Sequence, residues 1–144
     1  MVRILYELDE HIDSLCSKLK ENHGLQFKAT VRNRFHHIEV LMTDTNYPYG
    51  KDWMPQMFFI IRLNENKVFL KYLRLPETLR HQGIGTLCFQ WLIGLCRHYG
   101  IDEIEGGAVD SSKAFWSKLG VVHTTQKSRY LIQEKSAEKV TSET

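Results

Sequence analysis

Between Lys67 and Glu105 the hydrophobic pattern changes period twice, and no other feature of the sequence restricts the fold as much. An extended apolar stretch, about Lys67–Leu75, ends at Pro76 and a polar turn at Glu77–Gln82. A helical pattern then runs from about Gly83 to Tyr99, with Cys88, Trp91, Leu92, Leu95, Cys96 and Tyr99 on one stripe and Gly100 as the stop. A short strand, Ile101–Glu105, follows directly. Strand, helix and strand in immediate succession predict a parallel pair joined by a right-handed crossover. In such sheets ligands collect at the carboxyl ends of the strands, so the end of the Lys67–Leu75 strand is where chemistry is expected.

Upstream, the pattern is of strands that pair with their neighbours. Asp9 is positioned to cap a first helix carrying Ile12, Leu15, Cys16 and Leu19, with Gly24 as its stop. Extended stretches at about Gln26–Val31 and His36–Thr43 flank the turn-like Arg32-Asn33-Arg34. Asp44–Pro55 reads as a loop carrying the aromatics Tyr47, Tyr49 and Trp53. The strands Gln56–Leu63 and Lys67–Leu75 are joined by Asn64-Glu65-Asn66, a hairpin signal. Downstream, Ser111 or Ser112 caps a second helix ending at Leu119-Gly120, and a last extended region covers Val121 to about Ile132. The expected fold is α/β (α+β): a mixed, mostly antiparallel central sheet flanked by helices, in one domain over residues 1–133. Residues 134–144 are charged and expected to be a disordered tail.

Composition narrows the function classes. With 144 residues, about 70% of the unfolded surface can be buried on folding. A formal net charge of +2, with 19 Lys and Arg spread along the chain, gives no basic face for nucleic acid or a membrane surface. Three cysteines without C-x-x-C spacing, two of them eight apart on the long helix, read as core thiols. Adjacent His36 and His37 point to opposite sides of a strand, so no metal is expected. The lack of an export pattern and of a membrane span predicts a cytoplasmic protein.

The polar turn and helix start hold Arg80-His81-Gln82-Gly83-Ile84-Gly85-Thr86. Two glycines separated by one residue let the backbone approach a ligand closely. The first N–H groups of the helix have no partner inside it, and together with its dipole they attract a phosphate. Arg80 can add a charged fork to the same anion, and Thr86 a hydroxyl. Alone, such a Gly-x-Gly serves a tight helix entry equally well. The third glycine of a dinucleotide fingerprint and the Gly-Lys-Ser/Thr of a nucleoside-triphosphate loop are both missing.

The segment Leu73–Thr86 resembles the signature of the GNAT superfamily of N-acetyltransferases. That signature is an apolar strand, a turn with proline, then Arg/Gln-x-x-Gly-x-Gly/Ala at a helix start. Ser112-Lys113-Ala114-Phe115-Trp116-Ser117-Lys118-Leu119-Gly120-Val121 is similar to the superfamily's second motif. The similarity spans about Phe69–Val121. It implies acetyl-coenzyme A as acetyl donor, with its pyrophosphate on the backbone of Arg80, His81, Gln82, Gly83, Ile84, Gly85 and Thr86. The pantetheine would lie along Leu73 and Leu75, in a splay against Ile101–Glu105, with Ser112 and Phe115 bordering the cofactor. The implied reaction is direct attack of a primary amine, from a small molecule or a peptide, on the thioester. A homodimer is a common arrangement in the superfamily.

The chain departs from the pattern at Trp116, which stands where the superfamily often has a tyrosine acid. Indole N–H can donate a hydrogen bond but does not protonate a thiolate. A coenzyme A-binding or regulatory module without chemistry is therefore the alternative reading. Candidate bases are Glu103 and Glu105, alternating onto one face of their strand and acting through water, and His123 beyond the second motif. Their plainer readings are a solvated strand edge for the glutamates and a packing role for the histidine. Asp110 with Ser111 and Ser112 reads as a helix cap, and Tyr47–Trp53 as a wall for the acceptor.

Overall fold

Ile4, Leu8, Ile12, Leu15 and Leu19 recur at helical spacing, and all five are buried. They form the inner stripe of α1 (Val2–His23). A computed structural model describes residues 2–45, 56–73, 82–106, 118, 120, 122–123 and 128–132. Helix α1 starts earlier than the sequence suggests: Asp9 is not its cap but an exposed residue on its outer face. Ile4 and Leu8 extend the apolar stripe back by two turns, and burying them outweighs a local capping preference at Asp9. Gly24 ends the helix at φ +68°, donating to the Lys20 carbonyl at 2.9 Å.

The hairpin strands β1 (Phe27–Asn33) and β2 (His37–Asp44) pair antiparallel. After residues 46–55 come β3 (Met57–Arg62) and β4 (Lys67–Leu73), also a hairpin, as the Asn64-Glu65-Asn66 signal predicts. Helix α2 (Ile84–Tyr99) then crosses over to β5 (Glu103–Gly106), which pairs parallel with β4. Short strands β6 (Val122–His123) and β7 (Ser128–Leu131) complete a seven-stranded sheet in the order β1-β2-β3-β4-β5-β7-β6. Every described pairing other than β4–β5 is antiparallel. The mixed, mostly antiparallel sheet is thus as expected. The second helix apart from residues 118 and 120, the aromatic loop and the charged tail fall outside the described residues.

β5 begins two residues later than the pattern Ile101–Glu105 implies. Gly100, at φ +68°, donates to Arg97 O at 3.3 Å, and Ile101 N–H to Cys96 O at 2.8 Å. The N–H of Ile101 is thus used to close α2 and is withheld from the ladder. Asp102 N–H donates to Asn66 O at 3.1 Å, and Asn66 Nδ2 to Gly100 O at 2.8 Å. These two bonds hold the start of β5 beside the β3–β4 turn.

Both helices cover one face of the sheet. β2 and β3 alternate strictly, turning Ile38, Val40, Met42, Met57, Phe59 and Ile61 toward them. Helix α2 answers with Cys88, Phe89, Leu92 and Cys96, and Phe89 meets the Tyr130 ring edge-on at 5.5 Å. Cys88 and Cys96 are core thiols, each pushed up to about 12 by burial. Trp91 Nε1–H donates to the carbonyl of His11 at 3.1 Å and ties the two helices together. The other face carries cross-strand charge pairs.

Candidate functional site

Among the described residues the ladder between β4 and β5 runs from Lys67/Glu103 to Leu70/Gly106. β4 continues to Leu73 against β3, where Leu73 stands opposite Met57. The last three residues of β4 thus have no β5 rung among the described residues. The Leu70/Gly106 rung is unusually tight: a Cβ on Gly106 would stand 2.7 Å from the Leu70 carbonyl oxygen. Only glycine fits there.

The crossover topology brings the first turn of α2 to this same end of the sheet. Gly83 is its N-cap, at φ 80° and ψ 4°, a conformation that disfavours any residue with a Cβ. It makes no side-chain capping bond, and the first turn holds no acidic residue. Its carbonyl accepts from Leu87 N–H at 2.9 Å, so the helical ladder starts there. The N–H groups of Ile84, Gly85 and Thr86 precede the first intrahelical donor and lie at the positive end of the dipole. Ile84 and Gly85 are buried and fix the turn against the core; Gln82 and Gly83 are exposed, Thr86 half-buried. Such an end suits an anion.

The structure therefore brings Leu73 and Gln82–Thr86 to one end of the molecule. Leu75, Arg80, His81, Ser112, Phe115 and Trp116 lie outside the described residues. His123 is on β6, two strands beyond β5, where its backbone faces Ser128.

The glutamates do not stand on a solvated strand edge. β5 is an interior strand between β4 and β7. Glu103 is held by Arg129 of β7 through two bonds of 3.0 Å, Nε to Oε2 and Nη2 to Oε1. Glu105 accepts from Lys67 Nζ at 3.1 Å, which holds the Lys67 ammonium above its ordinary value. Both carboxylates are 13% exposed. Glu103 is at the first residue of β5, whereas Glu105 is one residue from Gly106 at its other end.

Two polar residues escaped the sequence reading. Asp44 and Gln56 are each 4% exposed, and the Asp44 N–H donates to Gln56 Oε1 at 2.7 Å. They stand at the end of β2 and the approach to β3, the same end of the sheet as Leu73. The signal was an acidic residue in the inward phase of Ile38, Val40 and Met42.

No family model and no curated protein matches the sequence. Similar solved structures do exist. Tetrahymena GCN5 superimposes with a TM-score of 0.51 at 12% identity, over 69% of this chain and 71% of that one. The ribosomal-protein-S18-alanine N-acetyltransferase of Escherichia coli gives 0.50 at 13%, over 70% and 72%. Escherichia coli YhhK, solved with coenzyme A bound, gives 0.50 at 14%, over 83% and 90%. The chain has the GNAT acetyltransferase fold.

Proposed function

We propose that this chain is an N-acetyltransferase that takes its acetyl group from acetyl-coenzyme A and delivers it to a primary amine. The observation that carries this reading is the first turn of α2, opened by left-handed Gly83 with no side-chain capping bond among the described residues, after the carboxyl end of β4. Its N–H groups supply what a pyrophosphate needs. Among the described residues the rungs of β4 and β5 run to Gly106 while β4 itself runs on to Leu73, and on this reading the amides of the pantetheine arm pair with that last stretch of β4. A fold shared with N-acetyltransferases supports the choice of donor, and coenzyme A in the YhhK structure supports it further.

The amine nitrogen attacks the thioester carbonyl carbon directly, the C–S bond breaks, and the nitrogen loses one proton while the thiolate gains one. Glu105 stands one residue before Gly106 on β5 and is, among the described carboxylates, the base we favour, working through a water. Asp44 and Gln56 lead into the aromatic segment Tyr47–Trp53, which favours this end of the sheet for the acceptor. The protein is an enzyme on this reading. A cofactor-binding module without chemistry is the second reading, favoured by the ion pairs that occupy Glu103 and Glu105.

Calorimetric titration with acetyl-coenzyme A, against adenosine diphosphate, tests the binding claim. Saturable binding tighter than the nucleotide is expected, followed by release of free thiol when amines are added. No heat and no thermal shift would sink the reading. Binding without thiol release for any amine, whether amino acid, polyamine or peptide, would favour the module.

A further inference from the structure

Away from that end of the sheet, three potential metal ligands meet where α1 crosses the last turn of α2. We propose that Glu7, His11 and His98 form a binding site for one divalent transition-metal ion of the zinc type. Glu7 and His11 are four residues apart on α1 and share a face. His98 reaches them from α2, and one ligating atom of each lies within 4.8 Å of the others. Two imidazoles and a carboxylate are the donors that zinc accepts as three protein ligands, with a water in the fourth position. Tetrahedral bonds of about 2.1 Å separate the donors by about 3.4 Å, a closure within reach of side-chain rotation.

What occupies the place strengthens the assignment. Arg3 donates from Nε to Glu7 Oε1 at 3.2 Å, and its Nη2 lies 3.2 Å from His98 Nε2. A guanidinium has only donors, so His98 presents the lone pair of Nε2 to it. A cation thus already spans the ligand atoms of Glu7 and His98, and Arg3, 61% exposed, is free to swing into water. Tyr99 acts as a tether: its hydroxyl donates to Glu7 Oε1 at 2.6 Å and, with its one proton so used, accepts from His11 Nε2–H at 3.0 Å, so His11 ligates through Nδ1 or gives up that proton when the ion binds. One phenol therefore holds both α1 donors in position. A groove of about 450 Å³ between the helices, lined by His11, Trp91 and His98, gives the ion and its water access. The ion would clamp α1 to the helix whose other end carries the Gly83 turn.

The test is calorimetry of the chelator-treated full chain with Zn²⁺, with Mg²⁺ as the hard-cation control. One Zn²⁺ per chain is expected, with a raised melting temperature and no response to Mg²⁺. His98→Ala and Glu7→Gln should each weaken Zn²⁺ by at least about tenfold. Arg3→Gln should tighten it, because the competing cation is gone. Zn²⁺ held by other histidines or by Cys16 would leave the affinity unchanged in both ligand variants, and that result overturns the site. Circular dichroism establishes that each variant is folded. Neither readout depends on acetyl transfer.

Discussion

Gly106 of β5 and Leu70 of β4 meet so closely at the last rung of the parallel pair that a side chain at position 106 would enter the Leu70 carbonyl. This is the last rung of the parallel pair among the described residues, and it lies toward the end of the sheet where acetyl-coenzyme A is proposed to bind.

Gly106→Ala forces the backbones to separate, because the obstructing atom is a carbonyl rather than the end of a flexible side chain. Overpacking of this kind costs about 1–3 kcal/mol. The variant should melt several degrees lower and bind acetyl-coenzyme A more weakly. An unchanged melting temperature and affinity would show that the rung has no such constraint.

The two glycines at the start of α2 separate conformation from charge. At Gly83 there is room for a Cβ but the φ of +80° opposes one, so Gly83→Ala should cost about 1–2 kcal/mol, and Gly83→Asn less. Gly85→Glu adds bulk and a negative charge where a phosphate is proposed, and should abolish acetyl-coenzyme A binding. Thermal denaturation and calorimetry read the two effects. Full affinity in Gly85→Glu would remove the phosphate from this turn.

The Glu7–Tyr99 pair predicts a stability window. The Tyr99 hydroxyl, donating to Glu7, holds that carboxyl below its ordinary 4.5, while burial and the same bond push Tyr99 up to about 12. A lowered carboxyl contributes stability that is present above pH 4.5 and lost as acid protonates it in the fold. A raised phenol contributes stability that is present below its ordinary 10 and lost as pH climbs toward 12. Tyr99→Phe should therefore melt below the parent between about pH 5 and 10, the gap closing at both extremes. A gap constant with pH would mean that the bond contributes only packing.

The legibility of the sequence followed the range of the contacts. The Asn64-Glu65-Asn66 hairpin and the crossover from Lys67 to Glu105 could be read because turn residues and apolar period lie next to one another in the chain. The start of α1 is not legible locally because Asp9 is a good local cap, and only the burial of Ile4 and Leu8 in the core makes the longer helix favourable. The surroundings of Glu103 and Glu105 differ from a strand edge for the same reason: β7 pairs beside β5 from residues 128–131, and nothing local to β5 announces it. Glu7, His11 and His98 are brought together solely by the packing of two helices distant in sequence, so no spacing rule finds them.

Glu103 and Glu105 offer the sharpest separation of chemistry from structure. They are two residues apart, on one face, equally shielded and each paired with a cation. Removing either charge should cost stability of about 1 kcal/mol, the upper range for partly exposed pairs. They differ in place: Glu103 is at the first β4–β5 rung, Glu105 beside the last described one. If Glu105 takes the amine proton through water, Glu105→Gln should lower kcat by about 10²-fold or more with KM little changed. Glu103→Gln should keep kcat within a few-fold, since its carboxylate sits at the far end and serves the Arg129 clamp. Acetyl transfer monitored by thiol release, alongside thermal denaturation, reads both quantities. Equal kcat in the two variants would make Glu105 the partner of Lys67 and nothing more, and would move the search for the base toward Asp44.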